Sequence, residues 1–184
     1  EGTLSIDQVV STARQICDVI TAAQLQKNTL HRDIKPSNMF VFDDGDSIGI
    51  KVGDWGIAKA LEGLPSDTSF VNFGTKEYMA PERIDEALGS LDAKEVDIRS
   101  DLYALGVVIF EMLTGQRPFI GPSHGEIRRK QKDEAPGIRG LREGLPERIY
   151  SSVEMVLQED PDKRFRSPRE FYAALSTEAS VSET

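Results

Sequence analysis

The stretch from His31 to Gly56 constrains the fold and the chemistry of this chain more than any other. It reads HRDIKPSN, the apolar run MFVF, the polar turn DDGDS, a second apolar run IGIKV, and then GDWG. Two short apolar runs about a turn of Asp and Gly are typical of a β-hairpin. The predicted hairpin would hold Asn38 at one end and Asp54 at the other.

The polar residues around this hairpin form a set with a specific chemical use. Asp33 precedes Asn38 by five positions, and Lys35 lies between them. A carboxylate close to a hydroxyl can accept its proton, and a carboxylate together with an amide oxygen can hold Mg²⁺. Transfer of a phosphoryl group needs one base, two metal ligands and one cation, and Lys35 can supply the cation.

These motifs resemble the catalytic loop and the magnesium loop of eukaryotic-type protein kinases, in the form that serine/threonine kinases carry. Trp55 stands where the magnesium loop usually has Phe. The matching residues are His31, Arg32, Asp33, Lys35, Asn38, Asp54 and Gly56. The resemblance implies that Asp33 is the catalytic base and that Lys35 steadies the transferring phosphoryl group.

The same resemblance implies ATP as phosphate donor and Mg²⁺ as its metal ion. Asn38 and Asp54 would hold the metal, and together with Lys35 they would bind the phosphates. Phe40 would lie beneath the adenine ring, and a purely structural role in the core is an equally favoured alternative. Trp55 is expected to be an apolar packing residue.

A second motif, GTKEYMAPE, occupies residues 74–82 and resembles the end of a kinase activation segment. By that resemblance, Thr75 hydrogen-bonds the catalytic Asp and Lys, and Glu82 forms a partly buried ion pair with Arg164. The run SDLYALGVVIFEMLT, residues 100–114, predicts a buried helix. Ser100 is its predicted N-cap. Asp101 matches the residue that braces the catalytic-loop backbone in kinases, and it also suits the helix N-terminus electrostatically.

Residues 57–73 have the composition of a loop, and two of their hydroxyls are candidate phosphorylation sites. A phosphate there would carry nearly two negative charges, which Arg32 and Lys59 could bind. The candidates are Thr68 and Ser69, and their being ordinary loop hydroxyls is the alternative.

Three other stretches predict helices. Residues 1–26 repeat apolar positions at helical spacing, and Ser5 with Gln8 forms a capping-box signature. Residues 146–158 are amphipathic, and residues 167–175 predict a last helix before a polar tail. Residues 121–144 predict surface loops and a short helix, with the basic run RRKQK as solvated surface.

Composition excludes several classes of function. A length of 184 residues suits one domain, and a net charge of −9 disfavours nucleic acid or an anionic membrane as partner. The longest apolar run, residues 102–110, is too short to span a bilayer. One cysteine, Cys17, rules out a disulfide framework and predicts a reducing, cytoplasmic location.

The resemblance also predicts what this chain lacks. Before His31 there is neither a GxGxxG loop nor a VAIK-like lysine, which kinases use to bind the phosphates. The predicted fold is therefore mainly α, a kinase C-terminal lobe over residues 1–175 with a small β-hairpin at the catalytic loop. The polar tail would be residues 176–184, the N-terminal β lobe would be absent, and this chain alone is expected to be inactive.

The predicted function is a protein serine/threonine kinase whose substrates are Ser and Thr hydroxyls of proteins. The stretch RSDLYALGVVIFEMLTGQRPF is most similar to bacterial members of the family. One alternative is a small-molecule phosphotransferase, although that class lacks the GT…APE segment and the matched arginine. A second is a pseudokinase that binds partners without transferring phosphate. A third is a truncated gene product without activity. Ser37 stands where kinases that prefer basic substrates often have Glu, so no such preference is predicted.

Overall fold

The computed structural model describes residues 3–27, 29–43, 45, 48–55, 76–133 and 137–177, with Lys27 described by its backbone alone. This part of the chain is mainly helical and contains one small antiparallel sheet. Its helices are α1 (Ile6–Lys27), α2 (Pro81–Ala87), α3 (Ile98–Thr114), α4 (His124–Asp133), α5 (Ile138–Leu141), α6 (Glu147–Val156) and α7 (Pro168–Ser176). Its strands are β1 (Met39–Asp43) and β2 (Ile48–Val52), and single 3-10 turns cover Pro36–Asn38, Lys76–Tyr78 and Pro161–Lys163.

Helix α1 begins at the predicted capping box. The Ser5 N–H donates to the Gln8 side chain over 2.9 Å, and the Gln8 N–H donates to the Ser5 hydroxyl over 3.2 Å. Its fully buried positions fall at helical spacing and face the core: Val9, Ala13, Ile16 and Ile20. The prediction of a helix with one buried face is confirmed, but the helix begins at Ile6 and not at residue 1. Ala23, which was also expected on the buried face, is only half-buried.

Helix α3 runs through the middle of the molecule. Every residue from Ser100 to Phe110 is buried, which agrees with an apolar helix that is covered on all sides. It packs against α1 on one side and α6 on another, and α7 packs against both α1 and α6. Gly115 ends α3 in a left-handed conformation with φ of 74°.

The predicted N-cap of α3 is wrong. The N-cap lies three residues earlier than predicted, at Asp97, whose carboxylate accepts the Arg99 N–H over 2.8 Å. The Ser100 hydroxyl instead donates to the Glu82 carboxylate over 2.6 Å. Asp97 and Ser100 can both cap a helix, but Ser100 makes a long-range hydrogen bond to Glu82 instead.

Helices α2 and α4 form a second, smaller core beside the main one. Ile84, Phe119 and Ile127 are its buried members. The basic run RRKQK lies on α4, and its reading as solvated surface is wrong for two residues. Arg128 reaches Asp85 over 2.7 Å, and the buried Gln131 donates to the Met79 carbonyl over 2.8 Å.

The predicted hairpin is present, with Met39 paired to Val52 and Asp43 to Ile48. Gln15 of α1 attaches it to the helices, since its side chain accepts the Ile50 N–H over 2.8 Å. Among the helices that the structure describes, none has the length and apolar character needed to cross a membrane.

Candidate active site

The second residue of the HRDIKPSN loop has an uncommon backbone conformation. Arg32 has a φ of 66°, in the left-handed region that non-glycine residues rarely occupy. Its N–H donates to Oδ1 of Asp101 over 2.8 Å, and the His31 N–H donates to Oδ2 over 2.7 Å. Asp101 therefore braces this backbone, which is the contact expected from the sequence. Burial raises the pKa of the Asp101 carboxyl, and the two N–H donors act against that rise.

Asp33, Lys35 and Asn38 form one cluster, in which Asn38 is buried and the Asp33 side chain is partly exposed. Lys35 Nζ lies 2.7 Å from Oδ2 of Asp33. The Asn38 amide donates to the same oxygen over 2.9 Å and to the Asp33 carbonyl over 2.8 Å. The 3-10 turn Pro36–Asn38 brings these three side chains together. Pro at its first position favours this turn, because its fixed φ suits the start of a helix. The Asp33 side chain stays 32% exposed, so a ligand can reach it.

His31 connects this loop to the end of the hairpin. Its Nδ1 accepts the Asp33 N–H over 3.2 Å, and its Nε2 lies 2.9 Å from the Gly53 carbonyl. Because Nδ1 accepts, this pattern requires the tautomer with the proton on Nε2. The imidazole packs edge-on against Trp55 at a ring distance of 4.5 Å. Trp55 is half-buried, and its indole N–H donates to the Val52 carbonyl over 2.9 Å, which agrees with a packing role.

Asn38 and Asp54 lie at the same end of the hairpin. Since Met39 pairs with Val52, Asn38 lies opposite Gly53, and the Gly53 N–H donates to the Asn38 carbonyl over 2.8 Å. Asp54 follows directly, is exposed, and has a φ of 59°. The sequence predicted Asn38 at one end of the hairpin and Asp54 at the other, whereas the antiparallel register brings both residues to the same, open end.

The donors at this end of the hairpin suit Mg²⁺. The Asn38 amide nitrogen is used by Asp33, so the amide oxygen points away from that residue. One amide oxygen and one exposed carboxylate are hard oxygen ligands, and Mg²⁺ usually takes its other ligands from water and phosphate. Within the residues described, no cluster of three His, Cys, Asp or Glu is arranged to hold a metal. A site built from Asn38 and Asp54 does not need such a cluster.

Glu82 and Arg164 form the ion pair that the sequence predicts. Both oxygens of Glu82 lie 2.9 Å from guanidinium nitrogens of Arg164, and the two side chains are 2% and 0% exposed. The pair is thus fully buried, where partial burial was expected. Arg164 also donates to the carbonyls of Gln158 and Glu159, and its guanidinium stacks 4.7 Å above the Tyr103 ring. This network anchors α2 to the segment between α6 and α7.

Phe40 does not belong to the core. Its side chain is 57% exposed on β1, so the alternative that Phe40 is only a core residue is wrong. The ring covers Gly53, where an added Cβ would lie 2.7 Å from it. A contact with an adenine ring stays a prediction. Thr75, Thr68, Ser69 and Lys59 lie outside the described residues, and their expected roles stay predictions as well.

Sequence reasoning missed one residue that touches the loop directly. Arg83 of α2 donates from Nη1 to the Arg32 carbonyl. It follows Glu82 in the APE motif, which is the only local signal that could have pointed to it. No hydrophobic periodicity distinguishes a surface arginine from one that reaches into a neighbouring loop.

The comparisons with known proteins agree with this geometry. The chain matches the family described as "Protein kinase domain" over residues 1–173. It is 32% identical over 179 residues to the "Probable serine/threonine-protein kinase PknB" of Lactococcus lactis subsp. lactis, with 97% of this chain and 27% of that protein covered. It is 33% identical over 177 residues to the serine/threonine-protein kinase PrkC of Bacillus subtilis, with 96% and 26% covered.

A third relative is the serine/threonine-protein kinase PknL of Mycobacterium tuberculosis, at 30% identity over 165 residues, with 89% of this chain and 39% of that protein covered. The chain therefore spans less than two fifths of the length of each of these curated relatives.

Proposed function

The chain belongs to the protein kinase domain family, and on that premise we propose that it is the C-terminal lobe of a serine/threonine protein kinase. The proposed reaction moves the γ-phosphoryl group of ATP to a Ser or Thr hydroxyl of a protein. The observation that carries this proposal is the cluster in which one Asp33 oxygen lies 2.7 Å from Lys35 Nζ and 2.9 Å from the Asn38 amide.

Asp33 is the proposed catalytic base. Lys35 and Asn38 both contact Oδ2 and thereby orient the carboxylate. Its other oxygen, Oδ1, would accept the proton as the substrate hydroxyl attacks the γ-phosphorus and ADP leaves. The Lys35 ammonium would offset negative charge on the transferring group. In this mechanism the residues act by positioning and electrostatics, and no covalent enzyme intermediate is needed.

Asn38 and Asp54 are the proposed Mg²⁺ ligands. When bound, the ion would neutralise charge on the phosphate oxygens of ATP. Support comes from their oxygen donors and from the strand register, which places them at one end of the hairpin. His31 would keep that end attached to the catalytic loop through the Gly53 carbonyl.

The lobe assignment rests on the sequence before His31. That segment has no GxGxxG loop and no VAIK-like lysine, although kinases use both to bind ATP. The relatives are also more than twice as long as the stretch that matches this chain. We propose that the phosphate-binding loop and the strand lysine lie in a part of the protein outside these 184 residues.

The test is substitution of the base in the full-length protein. Asp33→Ala should abolish transfer of labelled phosphate from ATP to a protein substrate, because the only proposed proton acceptor is lost. The matched control is Asp92→Ala, which removes an exposed carboxylate far from the cluster in sequence and should leave the rate unchanged. A folded Asp33→Ala protein that transfers phosphate at the wild-type rate would refute the proposed role.

A further inference from the structure

Arg32 and Asp33 share a peptide unit that is held at both ends by other residues. The carbonyl at its start belongs to Arg32 and accepts from Arg83 Nη1. The N–H at its end belongs to Asp33 and donates to the His31 ring over 3.2 Å. The peptide before it is also held, because the Arg32 N–H donates to Asp101. A left-handed non-glycine residue persists only where its surroundings determine it in this way.

Arg83 is well placed to carry such a contact. Its neighbour Glu82 is anchored to the buried Arg164, and its other neighbour Ile84 is fully buried in the second core. The backbone of Arg83 is thus fixed on both sides. Burial lowers the pKa of Arg83, while the nearby carboxylates of Asp101 and Asp33 act in the opposite direction.

The space around Arg83 is too small for a substrate side chain. A cavity of about 10 Å³ lies between the catalytic loop and α2, and its lining includes Arg32, Asp33, Arg83 and Asp101. This volume is about that of one water-sized probe. The Arg83 Nε is buried and, among the described residues, has no hydrogen-bond partner. On the side of this cavity, Arg83 therefore faces the backbone of the loop and leaves no room for a peptide side chain.

We infer that Arg83 is a positioning residue that fixes the Arg32–Asp33 peptide and so sets the direction of the Asp33 carboxylate. The inference rests on the proposed kinase function and deepens it. It also makes α2 a support of the catalytic loop, because the arginine joins a helix anchored by Glu82 to the residue before the base. A tilt of this peptide would move the Asp33 oxygens relative to the substrate hydroxyl.

The experiment compares Arg83→Met and Arg83→Lys in the full-length protein, with Arg129→Met as matched control. Arg129 lies on α4 and its side chain is 60% exposed. The Arg129→Met substitution removes the same charge as Arg83→Met. Arg83→Met should lower kcat by ~10- to 100-fold while the KM values for ATP and protein substrate stay within ~2-fold, since misplacement affects the transition state. Arg83→Lys keeps a donor and a charge, and it should retain most of the activity. Arg129→Met should behave as wild type.

Hydrogen exchange of residues 31–38 supplies a readout that does not depend on activity. The exchange of this segment should become faster in Arg83→Met and stay unchanged in Arg129→Met, with each rate measured where circular dichroism reports a folded protein. An unchanged kcat in Arg83→Met overturns the inference. So does a raised KM for protein substrate at constant kcat, which would indicate substrate binding, or an Arg83→Lys variant as slow as Arg83→Met. If the wild type itself transfers no phosphate, the proposed function fails, and unchanged hydrogen exchange would separately refute the contact.

Discussion

The Glu82–Arg164 pair illustrates the energetics of a single buried contact in this protein. Removing two charges from water costs several kcal/mol for each ion, and their attraction offsets this only with good geometry and further hydrogen bonds. Both conditions are met, because the pair is bidentate and Arg164 also reaches two main-chain carbonyls. Ser100 supplies one more donor to Glu82.

Removal of one partner should therefore cost more than removal of both. Glu82→Gln leaves the Arg164 charge buried and unpaired, and the free energy of unfolding should fall by about 3–5 kcal/mol. The double variant Glu82→Met, Arg164→Met leaves no lone charge and should lose less than the sum of its single variants. Urea denaturation measures the losses of Glu82→Gln, of the double variant and of its two single variants. A loss below about 1 kcal/mol in Glu82→Gln would contradict the structural importance of the pair.

The buried thiol of Cys17 gives a second prediction at the scale of a single residue, and it concerns the pH dependence of stability and of thiol reactivity. Burial raises the pKa of its thiol to about 12, and the neighbouring Asp18 adds to the rise. Because the folded pKa lies above the unfolded one, the protonated thiol is favoured by folding, and this contribution is lost as the pH rises above 9. Only the thiolate reacts, so at pH 8 a disulfide reagent should label the native protein at least ~100-fold more slowly than the urea-unfolded protein. Equal rates would show that the side chain is accessible.

At the scale of elements, Gly106 allows α3 and α6 to approach closely. A Cβ at this position would lie 2.4 Å from a Val156 methyl carbon and 3.2 Å from Leu157. Gly106→Ala should therefore lower the free energy of unfolding by about 1–3 kcal/mol through overpacking, even though Ala favours helices. Part of this loss should be recovered in the double variant with Val156→Ala.

Gly125 is the matched control for Gly106. It lies in the first turn of α4, and no atom beyond its chain neighbours and the helix backbone lies within 4 Å of an added Cβ. Gly125→Ala should raise stability by roughly 0.5–1 kcal/mol, because Ala loses less backbone entropy than Gly. Thermal unfolding of the two variants gives the comparison, and destabilisation by both would mean that helix packing is not the cause.

The elements themselves could be predicted largely from local patterns. The capping box of α1, the apolar α3, the hairpin and the amphipathic α6 each depend on residues close in sequence. The failures have one physical cause, which is that long-range contacts leave no local pattern. Ser100 had the chemistry of an N-cap, yet its hydroxyl bonds Glu82, and Asp97 caps the helix.

In the candidate site, too, the residues of one short loop could be predicted from the sequence, and the residues that contact it from distant helices could not. The positions of Asp33, Lys35 and Asn38 follow from a short loop whose spacing can be read directly. Arg83 reaches that loop from a helix fifty-one positions further along, and Gln131 bonds Tyr103 across twenty-eight. Such pairs depend on how helices pack, which neither periodicity nor propensity specifies.

At the scale of the whole molecule, the hairpin carries apolar surface that the described residues do not cover. Val41 is 70% exposed, Ile48 64% and Phe40 57%. These residues lie on the element that also bears the proposed nucleotide contacts, with Asn38 before β1 and Asp54 after β2. Exposed apolar patches commonly mark surfaces that contact another domain or ligand. By the strand register, Phe40 lies on the opposite face of the hairpin from Val41 and Ile48. The proposed contact with ATP and an N-terminal lobe would involve the Phe40 face.

The 184-residue chain alone should therefore not transfer phosphate, and its dissociation constant for ATP with Mg²⁺ should be well above the micromolar range. The proposed two-lobe site would lack half of its phosphate contacts, so the nucleotide would not be positioned for reaction. Calorimetry with ATP and excess Mg²⁺ measures the affinity, and a chain extended to include the upstream lobe is the positive control. Asp54→Ala in the extended chain should weaken the binding of the magnesium–nucleotide complex. Micromolar affinity in the 184-residue chain would contradict the two-lobe assignment. Binding by the extended chain that Asp54→Ala leaves unchanged would contradict the proposed metal ligand.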